Sequence, residues 1–360
     1  MGVSHLSSGS RKVTIGATGD ILLHKRVFNK AKTEDGNYDF TEMLAEAKPL
    51  FKEDHLIIVN QESIIGGKEL GLSDFPHFNS PVEIGYTLKD MNVDIVNIAN
   101  NHTLDHGEKG ILQSIKNWEK IGIPYVGAYK SREDQETLRI FHKNGLRVCF
   151  LSYTKSTGGK KTPKGKDYLL NIYGKTRYAG YRGVAGVRRL INRIRKEDLA
   201  DVIVLSIHFG KEYQMLPTSY QLETASNLSD AGADVIIGHH PHVLQPPGFL
   251  VNSKGETTFV AYSLGNFFSG QKGIYRQIGA YMTIDVEKPD ESSLLKIDSP
   301  KMHLTYVDAG EKKDYKLHLL KDVVERQETI ITDVGEFNSR EVYDRMINHL
   351  REYIPDLDVS

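Results

Sequence analysis

Cysteine is all but absent from this 360-residue chain. Cys149 stands alone in the apolar run Arg147-Val148-Cys149-Phe150-Leu151, which excludes an internal disulfide and a cysteine-ligated metal and makes a core thiol the expectation. Neither sign of charge dominates: 46 Lys and Arg face 47 Asp and Glu. Nothing global therefore draws the chain to nucleic acid or to an anionic membrane surface, and a charged substrate has to be met locally. Long hydrophobic runs are missing too, and residues 1–10 are too polar for a signal peptide or a membrane helix. As written the chain reads as soluble. Its compartment stays open, because an anchor removed and replaced by the tag-like stretch 2–9 would leave this same sequence. There is no internal repeat, and at about 150 residues per domain the length suits one large α/β domain with appendages or two ordinary domains.

What the chain does have is a series of short β-branched runs, each ending in polar residues. The run 13–19 stops on Asp20, and 55–59 stops on Asn60-Gln61-Glu62. The run 93–99 leads into Asn100-Asn101-His102, and 201–207 into His208-Phe209-Gly210-Lys211-Glu212. Residues 233–237 precede Gly238-His239-His240-Pro241-His242, and 257–262 precede Ser263-Leu264-Gly265-Asn266. Apolar residues at helical spacing lie between these runs, over 40–51, 86–91, 110–121, 187–195 and 219–231. This alternation predicts βαβ units with parallel strands. A hairpin over 138–152, turning on Asn144-Gly145 in type I′ geometry, predicts a mixed sheet, with 280–286 and 301–307 as later edge strands. The tail carries a helix over 339–353 with Ser339 as its N-cap.

A carboxylate such as Asp20 directly after a buried strand stands where α/β folds place functional groups, with a helix N-cap as the alternative. Six such ends in one chain are harder to explain as capping. In a mostly parallel sheet the carboxyl ends of the strands face one crevice. The groups gathered there would be two carboxylates, an amide and at least three imidazoles, a nitrogen and oxygen donor set suited to zinc, manganese or iron. A carboxylate bridging two ions would be the arrangement used in phosphoryl and related transfers. His24, four residues after Asp20, shares its side only if that segment is helical. The basic segment 155–182 carries Lys155, Lys160, Lys161, Lys164, Lys166, Lys175, Arg177 and Arg182 against Asp167. It is either a field that attracts a polyanion or a solvated loop.

The ordered motifs Gly-Asp, Asn-x-Glu, Asn-Asn-His, His-x-Gly-x-Glu, Gly-His-His-Pro-His and Ser-Leu-Gly-Asn-Phe resemble the CapA/PgsA family of poly-γ-glutamate capsule biosynthesis proteins. That family looks like a branch of the calcineurin-like metallophosphoesterases, and the resemblance runs from about Val13 to about Phe268. It implies a four-layer α/β/β/α sandwich with mixed sheets and a C-terminal helical extension. The expected boundaries are a tag-like or disordered 1–10, a CapA-like domain over 11–310 with 155–182 as a basic loop insertion, and an extension over 311–360. One or two divalent ions (Mn, Zn or Fe) are expected, with Asp20 on the first, Glu62 in the bridging place and Asn101 on the second. His208, His240 and His242 would complete the ligands.

In the same comparison His102 takes the place of the histidine that protonates a leaving group or orients the substrate. Glu212 is an outer carboxylate or base, and His239 is either an acid/base or a group that orients a neighbour. Asn60, Asn100, Lys160, Lys161 and Asn266 are expected on the substrate side. The chain departs from the phosphoesterases in having Asp20-x-x-x-His24 for Asp-x-His and Asn60-x-Glu62 for Gly-Asp-x-x-Asp. The functional expectation is a metal-dependent, hydrolase-type centre acting on an anionic polymer such as poly-γ-glutamate or on a peptide. Capsule-synthase membrane partners, no nucleic acid, and a place at the extracellular face of the membrane accompany it, with the cytoplasm as the alternative. A peptide epimerase or phosphoesterase, and a non-catalytic assembly scaffold, are the competing readings.

Overall fold

The computed structural model describes residues 10–174, 183–309 and 314–360. The tag-like stretch 2–9, the cations Lys175, Arg177 and Arg182, and the 310/311 boundary lie outside the described residues. Strands β1 (Arg11–Leu22), β2 (His55–Gln61), β3 (Ile95–Asn97) and β4 (Tyr125–Val126) run parallel in that order. On the other flank of β1, the strands Ile278–Lys288, Lys296–Val307 and Leu317–Leu319 extend the sheet antiparallel. A second sheet contains β5 (Arg139–Lys143), β6 (Leu146–Thr154), β7 (Val202–His208) and β8 (Val235–His239), continued by Thr257–Ala261 and Gly248–Val251.

Side-chain alternation explains why the two sheets stack. Val13, Ile15 and Ala17 of β1, with Leu56 and Ile58 of β2, face Val148, Phe150, Val202, Val204, Val235 and Ile237 of the second sheet in one buried cluster. Their sequence neighbours Ile57 and Val59 point the other way, onto the helices Glu83–Asp90 and Gly107–Ile121 and the ring of Trp118. Ile203, Leu205 and Ile236 likewise face Val187, Ile191 and Leu228 on the helices Gly183–Lys196 and Ser219–Ala231. Because strands buried on both faces split their apolar residues by the two-residue pleat, the layers are helix, sheet, sheet, helix. The C-terminal segment is built into this body. Leu320, Val323, Met346 and Leu350 join the cluster between the sheets, and Asp358–Val359 pairs with Lys296–Val307.

Several expectations change in detail. The polar strand ends belong to two sheets, and the crevice lies where those sheets face each other. β1 runs past Asp20 to Leu22, with a break in register at Asp20. The helix expected over 40–51 is two short pieces, Thr41–Leu44 and Lys48–Leu50, because Pro49 inside a continuous helix would lose its hydrogen bond and clash with the preceding turn. In the tail, Asn338 is the N-cap and accepts from the Glu341 N–H, one residue before the expected Ser339. The Asn144-Gly145 turn has φ of 49° and 78°, the left-handed pair that a type I′ turn needs.

Candidate metal centre

Both sheets deliver side chains to one buried pocket. β1 supplies Asp20, which lies in register with Asn60 on one side and Asn266 on the other. Glu62 follows β2, and Asn100, Asn101 and His102 follow β3. From the second sheet come His208 and His239, paired in register across β7 and β8. Gly19 makes room for this meeting: a Cβ there would stand 2.3 Å from the Gly265 carbonyl, the same oxygen that accepts the Asp20 N–H at 2.8 Å.

The two carboxylates are treated very differently. Asp20 is saturated with donors: Asn60 Nδ2 at 2.8 Å and His239 Nδ1 at 3.0 Å on one oxygen, His240 N–H at 3.3 Å and His242 Nδ1 at 3.2 Å on the other. Burial opposes its charge, but the hydrogen bonds from His239 and His242 outweigh that and hold it well below the usual carboxylate range. Glu62 is equally buried, yet neither of its oxygens has a hydrogen-bond partner. Burial above all, with Asp20 nearby, pushes its carboxyl up to about 7.

Glu62 is shared between two groups whose ligand atoms lie within 4.8 Å of one another: Asp20, Glu62 and His242, and Glu62, His208 and His240. A third group joins the exposed Glu212 to His240 and His242. His208 Nε2 and His242 Nε2 approach the same Glu62 oxygen at 3.4 and 3.7 Å. The Nδ1 atoms of His208 and His240 are buried without partners, as are both Glu62 oxygens. Four unpaired buried polar atoms around one pocket are costly, and their mixed carboxylate and imidazole chemistry fits a divalent cation. A metal here would be held by Asp20, Glu62, His208, His240 and His242.

The turn after β8 is shaped for this purpose. His240 and His242 have φ of 98° and 57°, left-handed backbone that side-chain-bearing residues adopt at a cost of about 1–3 kcal/mol each and that concentrates at functional sites. Gly238 at the strand end is tightly enclosed, since a Cβ would lie 2.0 Å from the Tyr262 carbonyl oxygen. Gly238→Ala is expected to lower the unfolding free energy by about 2–3 kcal/mol, read as a shift in the urea midpoint, and to weaken metal binding along with it.

His102 sits beside the pocket on a support that its spacing alone did not single out. Its Nδ1 is 2.8 Å from Asp105 Oδ2, whose other oxygen takes Lys160 Nζ at 2.6 Å while the Phe78 N–H donates at 2.7 Å. Burial opposes ionisation of Asp105, but His102 and Lys160 hold it below its usual range. Lys160, expected on a substrate, is bonded to Asp105, and Lys166 pairs with Glu108 at 2.5 Å, so two of the segment's cations are held by carboxylates. Lys161 is exposed.

The remaining expected residues have positions of their own. Asn101 Oδ1 lies 2.9 Å from His208 Nε2. Asn60 and Asn100 are fully buried, Asn60 between Asp20 and Asn97, Asn100 bonding the Gln61 carbonyl and the His102 N–H. Both brace the site from behind rather than facing solvent. Asn266 Oδ1 holds His242 Nδ1 at 2.9 Å. His239, expected as either an acid/base or an orienting group, has its Nδ1 3.0 Å from Asp20 Oδ1 and belongs to none of the three groups. His24 is buried against Phe78 with its Nδ1 near the Leu22 carbonyl and the Gly270 N–H, and burial lowers it to about 4. Asn97, which links Asn60, Ser152 and Ser206 across both sheets, was missed because it lies inside an apolar run.

These charges set a pH dependence. Glu62, raised from 4.5 to about 7, and His242, raised from 6.5 to about 9 because the facing Glu62 and Asp20 overcome its burial, both stabilise the metal-free fold at low pH. The Glu62 contribution is lost as pH rises through about 7, and that of His242 as it rises through about 9. Asp20 stays ionised and His208 and His240 stay neutral across this window. A cation needs both Glu62 and His242 deprotonated. The rise in melting temperature on adding manganese is therefore expected to grow from pH 5 to pH 9, and a rise that is flat or shrinks over that range would contradict the assignment.

The structure defines a four-layer α/β/β/α sandwich whose two sheets bring carboxylates and imidazoles together. More particularly, the chain belongs to the bacterial capsule synthesis protein family PGA_cap, whose model matches residues 14–271. It is 29% identical over 269 residues to the capsule biosynthesis protein CapA of Bacillus anthracis, covering 73% of this chain and 61% of that one. To the PGA biosynthesis protein CapA of Bacillus subtilis it is 30% identical over 266 residues, covering 70% and 62%. The chain thus spans about three-fifths of these curated relatives. Among solved structures, a hypothetical protein from Thermus thermophilus overlays with a TM-score of 0.46 at 15% identity over 81% of this chain and 99% of its own. The sulfate thiohydrolase SoxB of the same organism gives 0.40 at 14% identity over 72% and 41%.

Proposed function

We propose that this chain is a metal-dependent hydrolase-type component of capsule polymer metabolism, cleaving or trimming an anionic γ-glutamyl polymer or peptide. The observation that carries the reading is Glu62, fully buried, without a hydrogen bond, and common to two groups of potential ligands. Membership of the capsule synthesis family supports a capsule polymer as the substrate. The ion would be manganese, zinc or iron, one or two in number, and when bound it polarises the carbonyl or phosphoryl oxygen of the substrate.

The chain's own residues supply the proton chemistry. Asp105 accepts from His102 Nδ1 and so fixes the ring and its tautomer, leaving Nε2 to carry a proton to or from the reacting group. His239 and His242 keep Asp20 ionised, and Asn60 donates to it at 2.8 Å and fixes its orientation. The same proposal sets this work at the extracellular face of the cell membrane beside a capsule synthase, on the family resemblance. Among the described residues no helix is long and apolar enough to cross a membrane.

The test is to incubate the purified chain, with manganese or zinc, with poly-γ-glutamate and to follow polymer length by size exclusion. Shortening that stops on chelation supports the reading. Bound metal with unchanged polymer would move the weight to a scaffold, and deuterium uptake at the α-carbon without shortening would move it to an epimerase.

A further inference from the structure

One cation at the pocket mouth takes no part in the chemistry above. The Arg276 guanidinium lies over the Tyr213 ring, with Cζ 4.9 Å from its centroid. That ring is 6.2 Å from the His242 ring and tilted 34° to it. Tyr213 is 47% exposed, so the pair stands at the opening and not in the core. Among the described residues, no carboxylate lies within ion-pair distance of Arg276, whereas Arg139, Arg147 and Arg195 each hold an aspartate.

The position of this arginine is fixed to the centre. Asn266 spends its Oδ1 on His242 Nδ1 and its Nδ2 on the Arg276 carbonyl at 2.8 Å, so a single amide holds both. The Arg276 N–H donates to the Gly273 carbonyl at 2.9 Å. Gly273 has φ of 96°, and a Cβ there would come within 2.8 Å of Arg276 Nη2, so the guanidinium packs onto the glycine. An arginine stacked on an aromatic ring keeps in-plane N–H groups for a carboxylate, and stacking limits the entropy lost when it binds one.

We propose that Arg276, positioned by Tyr213, selects substrate by docking a free carboxylate of a γ-glutamyl chain one or two repeats from the unit held at the metal centre. This deepens the polymer reading above and rests on it. A γ-linked repeat advances the chain by about 6 Å when extended, from its five backbone bonds. The Tyr213 ring lies 6.2 Å from the His242 ring and 4.9 Å from Arg276 Cζ, so one to two such steps span the gap from the centre to the guanidinium. Tyr213 is a positioning residue here, and Arg276 makes the contact.

The experiment measures binding of a fluorescent γ-glutamyl hexamer to the full chain, with a hexamer whose free carboxylates are all amidated as control. Arg276→Gln is expected to weaken the acidic hexamer about ten- to hundredfold, the worth of a charged hydrogen bond, and to leave the amidated one as weak as it is for the wild type. Arg276→Lys restores part of the loss, because charge returns without the planar stack, and Tyr213→Leu reproduces part of it. Melting temperature, followed in parallel, should stay with the wild type. Unchanged affinity in Arg276→Gln, or an equal loss for both hexamers, would overturn the assignment while leaving the polymer reading intact. A wild type that binds neither hexamer overturns the polymer reading and this inference with it.

Discussion

Replacing Glu62 by glutamine should abolish the response to divalent metal while making the metal-free protein melt higher. Two physical effects combine in that result. The glutamine removes the anionic group common to two sets of potential ligands. Even the outer partners of metal ligands are worth about 10–100-fold in affinity, so loss of Glu62 itself should cost more than about 100-fold. In the metal-free wild type, the buried carboxyl is raised from 4.5 to about 7, a penalty on the order of 3 kcal/mol once it ionises at higher pH. Removing the charge relieves it. At a metal concentration of about 100 times the dissociation constant, the wild type should gain about 2.7 kcal/mol of stability, and E62Q none. A merely disruptive substitution would lower the melting temperature in both conditions, so the two-way pattern is diagnostic.

The second large effect is expected at His102. Changing His102→Asn should reduce polymer cleavage by about 10²–10⁴-fold, the usual range for a positioned acid or base, with metal content unchanged. Asp105→Asn should give a smaller loss, about 10–100-fold, because His102 keeps its place but loses the carboxylate that fixes its tautomer at 2.8 Å. The two losses should not add in the double variant, since Asp105 acts only through His102. A single-turnover assay on poly-γ-glutamate at saturating metal reads all three variants. Full additivity would show that Asp105 serves the fold instead, through the Phe78 N–H and Lys160 that it also holds.

Much of this centre was legible in the sequence because chemistry-bearing residues stand directly after β-branched runs. Asp20, Glu62, His208, His240 and His242 could all be named from that pattern, and the structure brings them into one pocket. The partition of strands was less accessible. Runs such as 202–205 bury both faces, so their pattern says strand but not which of two sheets they join. For that reason the sequence points to a crevice along a single sheet, while its walls come from two. Asp105 was readable only as part of a polar loop, because its value lies in its bonds to His102, Lys160 and a backbone N–H. Arg276 and Tyr213 were invisible for a related reason. They meet through a loop and a short 3₁₀ turn far apart in the chain, and no periodicity links them.

The basic segment shows how composition alone leaves a question open. Its composition fits either a field for a polyanion or a solvated loop, yet Lys160 and Lys166 are bound to Asp105 and Glu108. They anchor the segment against the start of the helix Gly107–Ile121, beside His102. Arg276, more than a hundred positions further along the chain, adds a cation at the mouth that the basic segment does not account for.

The most direct measurement is anomalous diffraction from crystals of the wild-type chain grown with manganese. The account predicts an anomalous peak enclosed by Asp20, Glu62, His208, His240 and His242, with the peak lost in E62Q crystals. An ordered pocket with no peak under those conditions, or a peak only elsewhere on the molecule, would contradict it.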